Sequence, residues 1–194
     1  MFLLIYLYMD TKKRLRKMLN EVVNGRKNEY GCVMVSLKFK NGSFDKIQDI
    51  IDPNDLYENP NDPSFGFENK PHVTALFGLH EDINEKELEE VIDQQVKPEI
   101  KLSDVSIFSS EKYEVLKFDV DSKDMYKFNK ELKEFPFTSN FPNYHPHCTI
   151  AYLKKDTSDK YIGKIKKFID ELAIEPTKIV YSKTDGSEND YKFK

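Results

Sequence analysis

Two stretches of this chain share one pattern: Lys70-Pro71-His72-Val73-Thr74-Ala75-Leu76-Phe77-Gly78-Leu79 and Asn143-Tyr144-His145-Pro146-His147-Cys148-Thr149-Ile150-Ala151-Tyr152-Leu153. Each sets His-x-Thr directly after a proline and before an apolar run. β-Branched and aromatic residues with turn formers upstream mark both as strands. Residues two apart on a strand point to one face, so His72 shares a face with Thr74, and His147 with Thr149. A ring nitrogen and a hydroxyl aimed into the same space can each address a phosphate. Two such pairs facing each other make a two-histidine phosphate site.

The elements around the motifs repeat as well. Residues 30–39 read as a strand, Asn41-Gly42 as a turn, and Ser43 as the cap of a short helix carrying Phe44, Ile47, Ile50 and Ile51. A long loop rich in Pro, Asn and Asp, 52–69, runs into the first motif strand, and loops of that length are often functional. Asn84 is placed to cap a helix with Leu88, Val91 and Ile92 on one side, and 100–108 is a strand. A tight link at 109–112 follows, and from Tyr113 the order returns. There is a strand over 113–120, a helix capped by Ser122 with Met125, Phe128 and Leu132, a loop over 135–144, and the second motif strand. Asp156 to Ser158 open a last helix carrying Ile162, Ile165, Phe168, Ile169 and Leu172. Strand 177–182, the Asp185-Gly186 turn and a short strand over 191–194 finish the chain. The motif histidines, 75 positions apart, hold equivalent places in halves of about 30–109 and 113–194. A pseudo-twofold pair of α+β lobes would bring the two motif strands together across a cleft.

Composition narrows the function classes. With 194 residues, 39% hydrophobic and 33% charged, the chain fits one globular domain, expected over 28–194. A net charge of −4 argues against coating long nucleic acids, which needs many cationic contacts, and leaves room for a small phosphate ligand. Cys32 and Cys148 sit within apolar strand patterns and read as buried free thiols, which suits a cytoplasmic, reducing compartment. Residues 1–27 read as a leader and helix: an apolar Met1–Met9, then Lys12, Lys13, Arg14, Arg16 and Lys17. Nine residues fall far short of the roughly 20 that a membrane helix needs, and the positive charge follows the apolar run instead of preceding it. No stable membrane insertion is expected. His145 and His147 share a strand face and could suggest zinc, but Cys148 points the other way and no further ligand cluster exists, so neither metal nor cofactor is expected. The sequence carries no Gly-rich phosphate loop, dinucleotide fingerprint or serine nucleophile elbow.

His72-Val73-Thr74 and His147-Cys148-Thr149 resemble the tandem signature of the 2H (two-histidine) phosphoesterase superfamily over roughly 30–194. The flanks, Asp55-Leu56-Tyr57, Phe77-Gly78, His145-Pro146 and Ile150-Ala151-Tyr152, are most similar to the phage anti-CBASS nucleases, which degrade the cyclic oligonucleotide signals of a bacterial defence system. The resemblance implies a two-lobed, pseudo-symmetric α+β fold in which antiparallel-rich sheets line a central cleft and helices lie outside. It implies metal-free cleavage of 3′–5′ bonds in cyclic di- and trinucleotides, in the host cytoplasm if the chain is phage-encoded. One histidine would take the 2′-hydroxyl proton and the other would protonate the leaving 5′-oxygen, while Thr74 and Thr149 hold the non-bridging oxygens. It also implies a C-terminal acidic residue and an aromatic that hold a base; Asp185 and Tyr191 occupy matching places, with Glu188 a rival for the acidic role. The family's stacking tryptophan has no counterpart, since the chain contains no Trp. Tyr30 is a further stacking candidate and Tyr144 a candidate cleft wall. Two other functions fit the same residues: RNA-end processing of 2′,3′-cyclic phosphates or 2′–5′ oligoadenylates, and a sponge that binds nucleotide signals without cutting them.

Overall fold

Odd-numbered residues of β1 (Gly31–Phe39) are buried and the even-numbered ones less so, the alternation of a strand with one face in a core. The computed structural model describes residues 29–60, 62–139, 141 and 143–194, so the leader and helix expected over 1–27 lie outside the described residues. Strand β1 pairs antiparallel with β2 (His72–Leu79) on one side and with β6 (Ile174–Ser182) on the other. Adding β7 (Glu188–Tyr191) gives a four-stranded sheet ordered β2-β1-β6-β7. A three-stranded antiparallel sheet holds β3 (Lys101–Ser109), β4 (Tyr113–Asp121) and β5 (His147–Lys154) in that order.

The sheets do not follow the two halves of the sequence. Strand β3 of the first half joins the second sheet, and β6 of the second half joins the first. The tight link after β3 is the reason for the first exchange. Ser110 Oγ accepts from Tyr113 N at 3.0 Å and from Lys112 N at 3.2 Å, which closes β3 and β4 into a hairpin.

Four α-helices are formed among the described residues: α1 (Ser43–Gln48), α2 (Glu85–Asp93), α3 (Lys123–Leu132) and α4 (Asp159–Lys166). Asn84 and Ser122 cap α2 and α3 as expected, accepting from Glu87 N and Met125 N. Ser43 does not cap α1. Gly42, at φ 65°, takes that position, and Ser43 becomes the first helical residue. The last helix is shorter than its apolar spacing suggests, and Ile169 falls in a separate single turn, Ile169–Glu171. Strand β7 starts three residues earlier than expected and ends at Tyr191. Leu88, Ile92, Met125 and Leu132 carry no exposed surface, each worth about 1.5–3 kcal/mol over exposure.

Each motif strand is strapped by the loop that leads to the other. Residues 56–57 and 66–68 lie along β5, with Tyr57 N donating to Tyr152 O at 2.9 Å, Tyr152 N to Gly66 O at 2.7 Å and Glu68 N to Ile150 O at 3.1 Å. Residues 136–138 run along the end of β2, with Thr138 N donating to Gly78 O at 2.9 Å and His80 N to Pro136 O at 3.1 Å. That approach requires glycine at 78, since a Cβ there would stand 1.9 Å from Thr138 O and the backbone has φ 106°. The Asp55-Leu56-Tyr57 segment belongs to this strapping. Leu56 is buried against Leu153, and Asp55 accepts from Tyr161 and pairs with Lys160.

Candidate active site

The register sets the histidines. In the first sheet His72 stands opposite Ser36 and Thr74 opposite Met34; in the second His147 stands opposite Asp119 and Thr149 opposite Lys117. Directly opposed residues share a face, so each His-Thr pair projects together from its sheet. The prolines earn their place by their carbonyls: Pro71 O accepts from Leu37 N at 2.8 Å and Pro146 O from Val120 N at 3.1 Å. Each ring is then fixed in the same way. His72 Nδ1 bonds Lys70 O at 2.8 Å and His147 Nδ1 bonds His145 O at 2.8 Å. A carbonyl only accepts, so Nδ1 carries the hydrogen in both rings and both Nε2 atoms are left to take or give a proton.

Both motif strands bulge at the same place. Register shifts set Ala75 of β2 and Ile150 of β5, each one residue past its threonine, out of the regular pairing. Bulges re-aim side chains and recur beside active sites. The carbonyls they displace are met by buried side-chain amides from the helices that precede the opposite motif. Asn129 Nδ2 of α3 donates to Ala75 O at 2.6 Å, and Gln48 Nε2 of α1 donates to Ile150 O at 3.0 Å and Glu68 O at 2.7 Å. These two ties lock the sheets to one another behind the histidines. Asn129→Leu should therefore lower stability by about 1–3 kcal/mol by leaving a buried carbonyl unpaired, read as a shifted midpoint in urea unfolding.

The two motif strands come together. Elements β2 and β5 are in contact, Cys148 of β5 reaches the backbone of His72, and a charge on His72 is felt at His147. Burial holds the His147 imidazole below its ordinary value, with smaller downward contributions from Lys117 and His72. The His145 carbonyl and Asp119 oppose them. A neutral, proton-accepting His147 is the result at neutral pH. Burial raises both thiols, Cys32 to about 12 and Cys148 well above the usual range, so neither is a thiolate nucleophile. Thr74 lies within hydrogen-bonding reach of Cys32.

The residues expected to bind a base lie in different parts of the fold. Tyr30 packs against Phe77 and His80, ring centroids 6.1 Å and 6.0 Å away, beyond the threonine end of β2. His80 Nε2 lies 2.8 Å from Thr138 Oγ1. Tyr144 backs the site, its hydroxyl donating to Thr74 O at 2.8 Å and its ring set edge-on to Tyr126. Tyr191 is a correction. It pairs with Ile179, and its hydroxyl donates to Glu89 Oε1 of α2 at 2.8 Å, on the sheet face opposite His72. Asp185 is turned to its own loop, accepting from Ser187 N at 2.8 Å and Ser187 Oγ at 2.6 Å, bonds that hold its carboxyl below the usual range. The register instead sets Glu188 and Asp190 on the His72 face, through Ser182 and Cys32 for one and Val180 and Met34 for the other. Glu188 pairs with Lys70 at 3.2 Å and Asp190 with Lys178 at 2.6 Å.

Phe77, read from the sequence only as part of a motif and its flank, reaches the histidine face by register. It is 51% exposed and stands opposite Cys32, and so shares the face of His72 and Thr74. Plain alternation from Thr74 would turn it to the other face; the bulge at Ala75 brings it back. Tyr152 holds the equivalent place on β5, opposite Val115. His145 is exposed, and its backbone serves His147. Among the described residues no three His, Cys, Asp or Glu side chains gather as a metal set, and no helix among them is long and apolar enough to cross a membrane.

A family model described as the 2'-5' RNA ligase superfamily matches residues 44–188. No curated protein matches the sequence. Among solved structures, Usb1 of Kluyveromyces marxianus superposes with a TM-score of 0.52 at 12% identity, covering 87% of this chain and 99% of that one. The same protein with uridine monophosphate gives a TM-score of 0.49 at 11% identity, covering 86% and 99%. At such identity the likeness to Usb1 is one of fold.

Proposed function

The chain belongs to the 2'-5' RNA ligase superfamily and is a phosphodiesterase of the 2H class, and from that premise we propose that it cleaves 3′–5′ bonds beside a free 2′-hydroxyl, without a metal, in cyclic di- and trinucleotide signals. A phage escaping cyclic-oligonucleotide immunity would use it in the host cytoplasm. The observation that carries the reaction is the matched pair of Nδ1 bonds, 2.8 Å to Lys70 O and 2.8 Å to His145 O. They leave two Nε2 atoms, one to remove the 2′-hydroxyl proton and one to protonate the leaving 5′-oxygen. Attack of the 2′-oxygen on phosphorus forms the 2′,3′-cyclic phosphate as the P–O5′ bond breaks, and water can then open the ring. Thr74 and Thr149 serve the non-bridging oxygens. Phe77 and Tyr30 offer faces on which a base can stack, and Glu188 or Asp190 can accept from an exocyclic amine. Small cyclic substrates are favoured by the net charge of −4 and by the resemblance of the motif flanks.

The test is incubation with a panel of cyclic di- and trinucleotides beside RNAs ending in a 2′,3′-cyclic phosphate, with product mass as the readout. Linearised cyclic nucleotides support the proposal. Turnover confined to RNA ends would move the substrate to RNA processing, and tight binding with every ligand returned intact would make the protein a sponge. Turnover is expected to persist at its full rate in excess EDTA. Loss of activity in chelator, restored by zinc, would overturn the metal-free scheme.

A further inference from the structure

The motif strands match bond for bond, but the residues beside them do not. Opposite the first pair stand Met34 and Ser36; opposite the second, at the same two register positions, stand Lys117 and Asp119. Lys117 is 3% exposed. Its Nζ donates to Ser106 Oγ at 2.7 Å and to Asp119 Oδ1, and lies 4.2 Å from the centre of the Phe108 ring. The Phe108 ring meets His147 edge-on with centroids 4.9 Å apart. Burying an ammonium is costly, and packing alone does not call for one, since methionine fills the equivalent place at 34. Beside His72 stands a different charge, Glu68, whose Oε2 is 3.9 Å from Nδ1, so the two histidines sit among different charged neighbours.

We propose that Lys117, held by Ser106 and Asp119 beneath Phe108, is a positioning residue that makes His147 the proton-accepting member of the pair and leaves His72 to donate. This rests on the phosphodiesterase reading above. Lys117 acts through His147, since it is buried and two of its three donors are taken by Ser106 and Asp119. The charged groups facing His147 are Lys117 and Asp119 of β4 and His72 of β2. Beyond Asp119, across the register, stands Asp104 of β3, paired with Lys166 of α4 at 2.8 Å. Lys117 and His72 disfavour a positive His147, in the same direction as burial, and Asp119 favours it.

The experiment compares wild type, Lys117→Met, Lys117→Arg and Asp119→Asn. The His147 ring is titrated by NMR in the free protein, and kcat/KM for a ribose dinucleotide diester is measured against pH. The acidic limb of kcat/KM reports the base of the free enzyme. Lys117→Met copies residue 34 and leaves Asp119 facing His147 without its lysine, so the ring midpoint and the acidic limb should both rise by about one unit. Below both midpoints that is a roughly tenfold loss of rate. Lys117→Arg should restore the wild-type values, and Asp119→Asn should move both downward. A folded Lys117→Met with an unmoved His147 midpoint overturns the proposal, as does a moved midpoint with an unmoved acidic limb. Should Lys117→Met fail to fold, an Asp119→Asn protein that leaves both values unchanged overturns it equally. Failure of the phosphodiesterase reading has a different signature: no variant cleaves any diester while the ring titration still moves, and the proposal falls with its premise.

Discussion

Replacing either motif histidine should remove most turnover and leave the fold in place. General acid–base assistance is worth about 10²–10⁴-fold per group, so His72→Ala and His147→Ala are each expected to lose that much in kcat. The stability cost should stay small, because each ring makes one hydrogen bond to a carbonyl only two residues away, a bond with a net worth of about 0.5–1.5 kcal/mol. The strands are held by their ladders, by the strapping loops and by Asn129 and Gln48, none of which involves the rings. The double mutant should be little worse than either single one, since the two groups act in one step. Thr74→Ala and Thr149→Ala should be milder, because they stabilise charge without moving a proton. Single-turnover rates beside circular dichroism decide the matter. A double histidine variant that cleaves at the wild-type rate would exclude both residues from the chemistry.

What the sequence made legible was local. The paired His-x-Thr strands, the caps at Asn84 and Ser122 and the hairpin at Ser110 each depend on residues within a few positions of one another. Long-range pairing was not legible. Nothing near Ile174–Ser182 marks it as the partner of β1, so the exchange of β3 and β6 between sheets is visible only in three dimensions. Faces were hidden for the same reason. One extra residue in a strand reverses the parity of all that follows, which is how Phe77 joins the site. Tyr191 reaches α2 because β7 begins at Glu188, and its register with β6 sets Glu188 and Asp190 on the histidine side instead. Gln48 and Asn129 looked like ordinary polar residues of amphipathic helices; their role depends on bulges in the opposite half. Lys117 sits in a strand pattern that gave no sign of a buried ammonium, since Ser106, Asp119 and Phe108 meet it only once the sheet has formed.

The second large effect concerns the source of the nucleophile. Both cysteine thiols are held protonated by burial. The ligand already carries a hydroxyl beside phosphorus, and an attack from within the ligand gains a large proximity advantage, with effective molarities reaching about 10⁵–10⁸ M. A cyclic dinucleotide with both sugars 2′-deoxy should bind through its phosphates and bases yet show no measurable cleavage. The absent hydroxyl leaves the histidines with no proton to take from the attacking oxygen, so raising the enzyme concentration should not restore the rate.

The most direct measurement is product analysis after a ribose cyclic dinucleotide and its 2′-deoxy counterpart are incubated side by side with the protein in excess chelator. Mass spectrometry of the ends should show a 2′,3′-cyclic phosphate, or the phosphate monoester formed when it opens, from the ribose ligand alone, with the deoxy ligand intact. A 5′-phosphate end, or cleavage of the deoxy ligand, would mean that water attacks phosphorus directly, and would contradict the two-histidine mechanism.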